Sequence, residues 1–252
     1  MIVHMWREAH LHRVVEDDVE INALPHSFDG SVILYVSDLH KRRLREEHIK
    51  PLLGQVDWVL IGGDVAEKGI SWSIVRRNMQ LLTNIAPAYA VYGNHDKHAG
   101  TAQLARIFEE TGVRLLQDQV VFLQKRDSSI KLAGADYRSR ELSNHLTEKD
   151  RNDCLIVLIH DPLQAKSVHD YADLILSGHT HGGQLVVPFL GPIFLNQAYR
   201  NVSNGWYTLK RMNGDPDGKM LVSRGYGTNH LPLRLGCPAE MHKITLKSMK
   251  TK

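Results

Sequence analysis

Short apolar runs that end abruptly in clusters of glycine, aspartate, asparagine and histidine recur along this chain, and they constrain its fold more than any other feature. Val32-Ile33-Leu34-Tyr35-Val36 ends at Ser37-Asp38, and Trp58-Val59-Leu60-Ile61 ends at Gly62-Gly63-Asp64. Ala88-Tyr89-Ala90-Val91-Tyr92 ends at Gly93-Asn94, the run from Cys154 to Ile159 at His160, and Leu174-Ile175-Leu176 at Gly178-His179. Runs this short, apolar at every position, predict strands buried on both faces. Helix-like stretches lie between the first of them: Leu44 to Leu53, Ile70 to Asn84, and Thr101 to Thr111 with Gly112 as a stop. Strands alternating with helices predict an α/β fold. Val113 to Ala135 reads as a β-hairpin turning at Lys125-Arg126-Asp127-Ser128-Ser129. Strands are expected again at Gly205–Leu209, Lys219–Val222 and Ile244–Leu246, with a turn over 214–218. The expected architecture is two stacked mixed β-sheets flanked by helices. The 252 residues are read as a single domain, with 1–26 an N-terminal arm or edge strand and 27–252 the core.

The polar clusters carry the chemistry. In open α/β sheets, sites form beyond the carboxyl ends of strands, where these clusters lie. In order they are Asp38-Leu39-His40, Gly62-Gly63-Asp64, Gly93-Asn94-His95-Asp96, His160 and Gly178-His179-Thr180-His181. If strand alternation continues through them, Asp38 and His40 face the same side, as do His179 and His181. Each cluster also has a plain structural reading. Gly-Gly-Asp is a common turn, and Gly-Asn-His-Asp reads equally as a turn with a helix cap. Together they supply carboxylate, amide and imidazole donors without cysteine, a set that suits two divalent cations. Manganese is the first choice, with iron, zinc or nickel as alternatives.

Composition narrows the partners. The formal net charge of +3 gives no strong nucleic-acid signal and does not oppose an anionic substrate. Cys154 and Cys237 are the only cysteines, too few for a disulfide framework, and are read as reduced. No stretch reaches the roughly 20 apolar residues of a membrane span. The charged segment from Met1 to Asp18 does not read as a secretory signal. The expectation is a cytoplasmic protein, with peripheral membrane contact left open.

The ordered set D-x-H, G-D, G-N-H-D, H and G-H-x-H resembles the calcineurin-like metallophosphoesterase superfamily. Gly178-His179-Thr180-His181-Gly182-Gly183-Gln184, Ser223-Arg224-Gly225-Tyr226-Gly227, Leu233-Arg234-Leu235-Gly236-Cys237-Pro238 and Ser27-Phe28-Asp29-Gly30 resemble one bacterial, phosphodiesterase-type branch. The resemblance implies a four-layer sandwich of two sheets and outer helices. It also implies that Asp38, His40, Asp64 and His181 hold one metal and that Asp64, Asn94, His160 and His179 hold the other, with Asp64 bridging. His95 would then serve catalysis, bonding the phosphoryl oxygen or protonating the leaving group. The implied reaction is hydrolysis of a phosphodiester or pyrophosphate bond through a hydroxide bridging the metals. The substrate would be a small-molecule phosphate ester or a lipid-linked one. Arg224 and Arg234 are candidate substrate contacts, since arginine matches phosphate bidentately. Two rival readings are a catalytically silent metal-binding scaffold and a nuclease on the same site. One departure is Arg42, within Lys41-Arg42-Arg43, where the family often has glycine; that cluster is either a solvated face or an anion guide.

Overall fold

The computed structural model describes residues 1–147, 153–211 and 217–249. In chain order the helices are α1 (Ile2–Ala9), α2 (Glu46–Ile49), α3 (Trp72–Thr83), α4 (Asn94–Ala99), α5 (Thr101–Thr111) and α6 (Leu142–His145). The first strands are β1 (Val14–Ile21), β2 (Val32–Val36), β3 (Trp58–Ile61), β4 (Ala88–Ala90) and β5 (Arg114–Leu115). They are followed by β6 (Gln119–Lys125), β7 (Ser128–Gly134), β8 (Leu155–Leu158) and β9 (Leu174–Ser177). The last are β10 (Val186–Val187), β11 (Gly191–Pro192), β12 (Gly205–Leu209), β13 (Gly218–Val222) and β14 (Met241–Ser248).

Two six-stranded mixed sheets form the body, in the orders β1-β14-β2-β3-β4-β5 and β12-β13-β9-β8-β7-β6. β2, β3, β4 and β5 run parallel, as do β7, β8, β9 and β13. The apolar runs alternate between two cores. Ile33, Tyr35 and Leu60 point between the sheets, where they meet Leu132, Ile156, Leu158, Leu174 and Leu176. Leu34, Val36, Val59 and Ile61 point outward onto Val75, Met79 and Leu82 of α3 and Leu104, Ile107 and Phe108 of α5. The outer face of the second sheet packs on Leu142, Leu146, Ala165 and Val168. A strand between two such layers must be apolar at every position, because neither face meets water. Each fully buried side chain of this kind contributes roughly 1.5–3 kcal/mol.

The expected elements differ from the observed ones at several boundaries. The helix expected over Leu44–Leu53 is only α2 followed by a 3₁₀ turn over Lys50–Leu52. Pro51 lacks the N–H that would continue the α-helical ladder. α5 stops at Gly112, which has φ 77°. The stretch Val113–Ala135 is not one hairpin. Arg114–Leu115 pairs with β4 in the first sheet, and only β6 and β7 form the hairpin in the second, turning at Arg126-Asp127. β1 lies at the edge of the first sheet, parallel to β14. Most of the turn expected over 214–218 falls outside the described residues. Both cysteines are buried free thiols. Among the described residues, no helix is long and apolar enough to cross a membrane.

A buried charged cluster joins the sheets near β1. His242 Nδ1 lies 2.8 Å from Asp17 Oδ2 and its Nε2 lies 3.3 Å from Glu240 Oε1. The indole N–H of Trp206 on β12 donates to Asp17 (3.0 Å). Burial opposes all three charges, but their mutual contacts outweigh it. The His242 pKa is raised, that of Asp17 is lowered, and that of Glu240 falls to about 2. Glu240's contribution to stability is therefore present above its ordinary 4.5 and lost as pH falls toward about 2. His242's contribution is present below 6.5 and lost as pH rises through its raised value. We expect His242→Ala to destabilise by roughly 3 kcal/mol, as for breaking one side of a buried pair. In urea unfolding the gap from wild type should be widest between pH 4.5 and 6.5. A gap independent of pH would show that His242 acts through packing alone.

Candidate metal centre

Five loops deliver the candidate ligands, each leaving the carboxyl end of a parallel strand. Asp38 and His40 follow β2, Asp64 follows β3, Asn94 follows β4, His160 follows β8, and His179 and His181 follow β9. The first three strands belong to one sheet and the last two to the other, so the donors meet across the end of the sandwich. Backbone bonds tie the loops together: Asp38 N–H to Gly63 O (3.0 Å), His40 N–H to Asp64 O (2.9 Å) and Gly178 N–H to His160 O (3.0 Å).

Strand alternation does not bring these donors together. Asp38, His40, Asp64, His179 and His181 all have positive φ, between 49° and 73°, a conformation costly for residues other than glycine. The pairs Asp38/His40 and His179/His181 converge because each pair bends through this left-handed region, not because it continues a strand. Leu39 between the first pair is buried, as expected.

Two groups of donor atoms share Asp64. In the first, His40 Nε2 lies 2.9 Å from His181 Nε2 and 3.8 Å from Asp64 Oδ2, and His181 Nε2 lies 3.6 Å from Asp38 Oδ1. In the second, Asn94 Oδ1 lies 3.1 Å from His160 Nε2 and 2.9 Å from His179 Nδ1. Those two nitrogens are 3.2 Å apart, and His160 Nε2 is 3.3 Å from Asp64 Oδ2. Ligands about 2.1 Å from one ion stand about 3.0–3.4 Å from each other. Most of these spacings fall at or near that range, and the donor set of imidazole, carboxylate and amide oxygen suits a divalent ion. The residues therefore fit the metals that the sequence implies.

The surroundings orient the donors. His160 donates Nδ1–H to Gly62 O (2.8 Å), which turns Nε2 inward as the atom that would meet a metal. Glu67 sets a carboxylate 3.4 Å from His40 Nδ1 and pairs with Lys41 at 3.2 Å. Asp96 accepts from Gly93 N–H (2.9 Å) and Ala66 N–H (2.8 Å), fixing the Asn94 loop against the Asp64 loop. The helix-cap reading of Gly-Asn-His-Asp thus holds for Asp96, while Asn94 and His95 face the site. The backbone N–H of His95 donates to Asp64 Oδ1 (2.8 Å). Its ring meets that of His40 edge to face at 4.8 Å.

The electrostatics follow from burial and from Asp64. Burial opposes a charge on His160, yet the Asp64 carboxylate pushes its pKa up to about 10. Burial likewise opposes a charge on His40, but Glu67 and Asp64 raise its pKa. Burial, with His40 and Arg234 alongside, holds His181 well below the usual histidine range. Burial and His160 lower His179. Burial and the Asp64 charge push Asp96 up to about 7.

The two arginines expected to meet substrate bond to other partners. Arg234 is fully buried and donates to the carbonyls of Gly227, Cys237, Arg224 and Gly225. Arg224 pairs with Glu240 (3.0 Å) and Asn204 (3.1 Å). Both hold the loop that backs His181. Arg42 is no anion guide either: it donates to the carbonyls of Ala9, Leu11 and Tyr226 and stacks 3.8 Å over the Tyr226 ring.

Several neighbours of the site escaped sequence reasoning. Tyr137 and Tyr199 stand beside His179, at 6.1 and 5.2 Å between rings. Tyr199 is held by Asp161 at 3.0 Å. No spacing marks either tyrosine. Glu67, three residues after Asp64, had only that proximity as a signal. A cavity of about 490 Å³ opens beside His179 and His181, lined also by Gln184, Phe194, Asn229 and Leu231.

The sequence profile of calcineurin-like phosphoesterases matches residues 31–183, the segment that carries all five loops. The chain belongs to this family. It is 31% identical over 221 residues to YpbG of Bacillus subtilis (strain 168), covering 85% of this chain and 80% of that one. It is 26% identical over 226 residues to the phosphodiesterase YaeI of Escherichia coli (strain K12), covering 85% and 81% respectively. The Haemophilus influenzae NAD nucleotidase superposes with a TM-score of 0.55 at 14% identity, over 78% of this chain. This chain spans about half of that structure (51%), and the likeness shows a shared fold.

Two substitutions test the construction of the site. A Cβ on Gly93 would sit 2.1 Å from Asp64 Oδ1. Gly93→Ala should therefore displace that carboxylate and lower metal content, measured by elemental analysis, in a protein that still folds; undiminished content would show the loop can yield. Arg234→Met should cost roughly 2–4 kcal/mol in urea unfolding, because it strands several buried carbonyls. A loss within 0.5 kcal/mol would mean that water replaces the guanidinium (~0.5 kcal/mol being typical of a surface change).

Proposed function

We propose that this metal-dependent phosphoesterase holds two divalent cations and hydrolyses a phosphodiester or pyrophosphate bond. The observation that carries the reading is Asp64. Its Oδ2 lies 3.8 Å from His40 Nε2 and 3.3 Å from His160 Nε2, between two donor groups. A carboxylate so placed would serve both ions. His40, His181 and Asp38 would complete one set, and Asn94, His160 and His179 the other.

Cations bound there would neutralise the phosphoryl oxygens and acidify a water. The chain's own residues do the rest. His95 is half-buried at the edge of the cluster and is held by its backbone bond to Asp64. From there its imidazole hydrogen-bonds a phosphoryl oxygen or delivers a proton to the leaving oxygen. The rings of Tyr137 and Tyr199 flank the second donor group, 5.8 Å from His160 and 5.2 Å from His179. The cavity beside His179 receives the remainder of the substrate. A diester is preferred over a monoester because that cavity offers apolar walls at Phe194 and Leu231 to a second ester group. The name of the relative YaeI, a phosphodiesterase, supports the same choice. Manganese remains the first candidate ion. A silent scaffold is disfavoured because no candidate ligand is missing.

The test is hydrolysis of an aryl phosphodiester and its monoester by chelator-stripped protein, with Mn²⁺ added back. Diester cleavage that depends on metal and is abolished by Asp64→Ala is expected. His95→Ala should lower kcat by about 10²–10⁴ while keeping both metals. Loss of metal from His95→Ala would move that residue among the ligands. Monoester preference would make the protein a phosphatase, and two bound metals without turnover of either ester would favour the scaffold.

A further inference from the structure

Apolar side chains that the fold does not use stand beyond the cavity at the metal centre. The hairpin of β10 and β11 carries Phe189 and Leu190 at its tip, and Ile193 and Phe194 follow it; all four are exposed, Phe189 completely. Phe189 also has φ 68°, an expensive conformation for a bulky residue. Exposure and strain in one aromatic residue have no folding benefit. The hairpin is firmly rooted. Val186 N–H bonds Leu235 O (2.7 Å) and Ile193 N–H bonds Leu185 O (2.9 Å), four residues beyond His181.

A second apolar projection stands nearby. α1 turns Ile2, Val3 and Trp6 to solvent and keeps Met5, Glu8 and Ala9 inward. Three of the five exposed residues of α1 are thus apolar, His4 and Arg7 being the others, where the outer face of a surface helix is usually polar. The helix is anchored by Arg234 N–H to Met5 O (3.0 Å) and Ala239 N–H to Glu8 O (3.2 Å). Residues 228–232 lie between the two projections. Thr228 and Pro232 line a cavity shared with Trp6, while Asn229, His230 and Leu231 line the one beside His179. Leu231 is itself exposed. The cavity beside Trp6, about 760 Å³, is lined by Arg7, Arg43 and His48, and by Lys41, Arg42 and Arg45, of which Lys41 pairs with Glu67, Arg45 with Glu47, and Arg42 with backbone carbonyls.

We infer that this face docks on an anionic lipid bilayer, with the hairpin tip and α1 entering the acyl boundary and the basic cavity meeting headgroup phosphates. Apolar projections beside a cationic surface suit that boundary. A second copy of the chain would instead bring its own cations toward these. Docking places the metal centre at the headgroup level, so its substrate is a phosphate ester carried by a lipid. That last step rests on the phosphoesterase reading; the docking itself does not.

Flotation of the full chain with phosphatidylglycerol/phosphatidylcholine vesicles, and with phosphatidylcholine alone, tests the inference. Binding to the anionic vesicles is expected, weakened by salt and at least about tenfold lower on pure phosphatidylcholine. Phe189→Asp with Leu190→Asp, and separately Arg43→Glu, should each reduce it, the first by at least about tenfold. Metal-dependent turnover of a soluble aryl phosphodiester should be unchanged in both variants. No flotation of the wild type, or flotation unaffected by both variants, would overturn the inference. So would sedimentation showing a dimer that the hairpin variant dissolves. Failure of soluble turnover in every protein would overturn the phosphoesterase reading and leave the flotation result standing.

Discussion

The Asp64 carboxylate sets the conditions for everything around it. It is buried among three imidazoles, and those imidazoles hold its pKa far below the usual carboxylate range despite burial. A buried charge of this kind persists only with partners in fixed positions. The fold fixes them: each partner sits on a loop bonded through its backbone to a neighbouring loop, and Asp96 and Gly62 lock two of those loops directly. The cost of five non-glycine residues in left-handed conformation is borne by the two-sided core beneath. Cations bound there would meet the same carboxylate that organises these loops, which would link metal uptake to folding.

The two-sheet architecture explains why the donor groups are distinct yet joined. Asp38, His40, Asp64 and Asn94 come from one sheet, and His160, His179 and His181 from the other. Each donor group draws on both sheets. Relative sliding of the sheets would pull both apart, so the core between them is also what holds the site. The arginines of the C-terminal segment act in the same sense. Arg234 gathers carbonyls from residues 224–237 behind His181, and Arg42 ties the segment after α1 to Tyr226.

Much of this was legible in the chain. The strands of both sheets announced themselves because burial on two faces demands apolar residues throughout, and the clusters after them marked the strand ends. Boundaries were less legible where Pro51 ends the α-helical ladder just after α2 and where the chain crosses from β5 to β6 within Val113–Ala135. Asp38 and His40 meet as their spacing suggests, but through left-handed turns and not through strand alternation, which spacing alone does not reveal. Arg224 and Arg234 looked like phosphate binders because an arginine in a glycine-rich segment carries no sign of whether carbonyls or solvent will surround it.

The sequence by itself determined the order of strands and loops and the donor types, since both depend on local pattern: burial period along each strand, and side-chain chemistry at each strand end. Only the tertiary structure decided the distances at which the donors meet, the left-handed turns that aim them, and which arginine is enclosed. It also decided that the apolar residues of α1 and of the β10–β11 hairpin remain outside. Those outcomes depend on how two sheets are placed face to face, and contacts between residues more than a hundred positions apart leave no trace in the spacing of either partner.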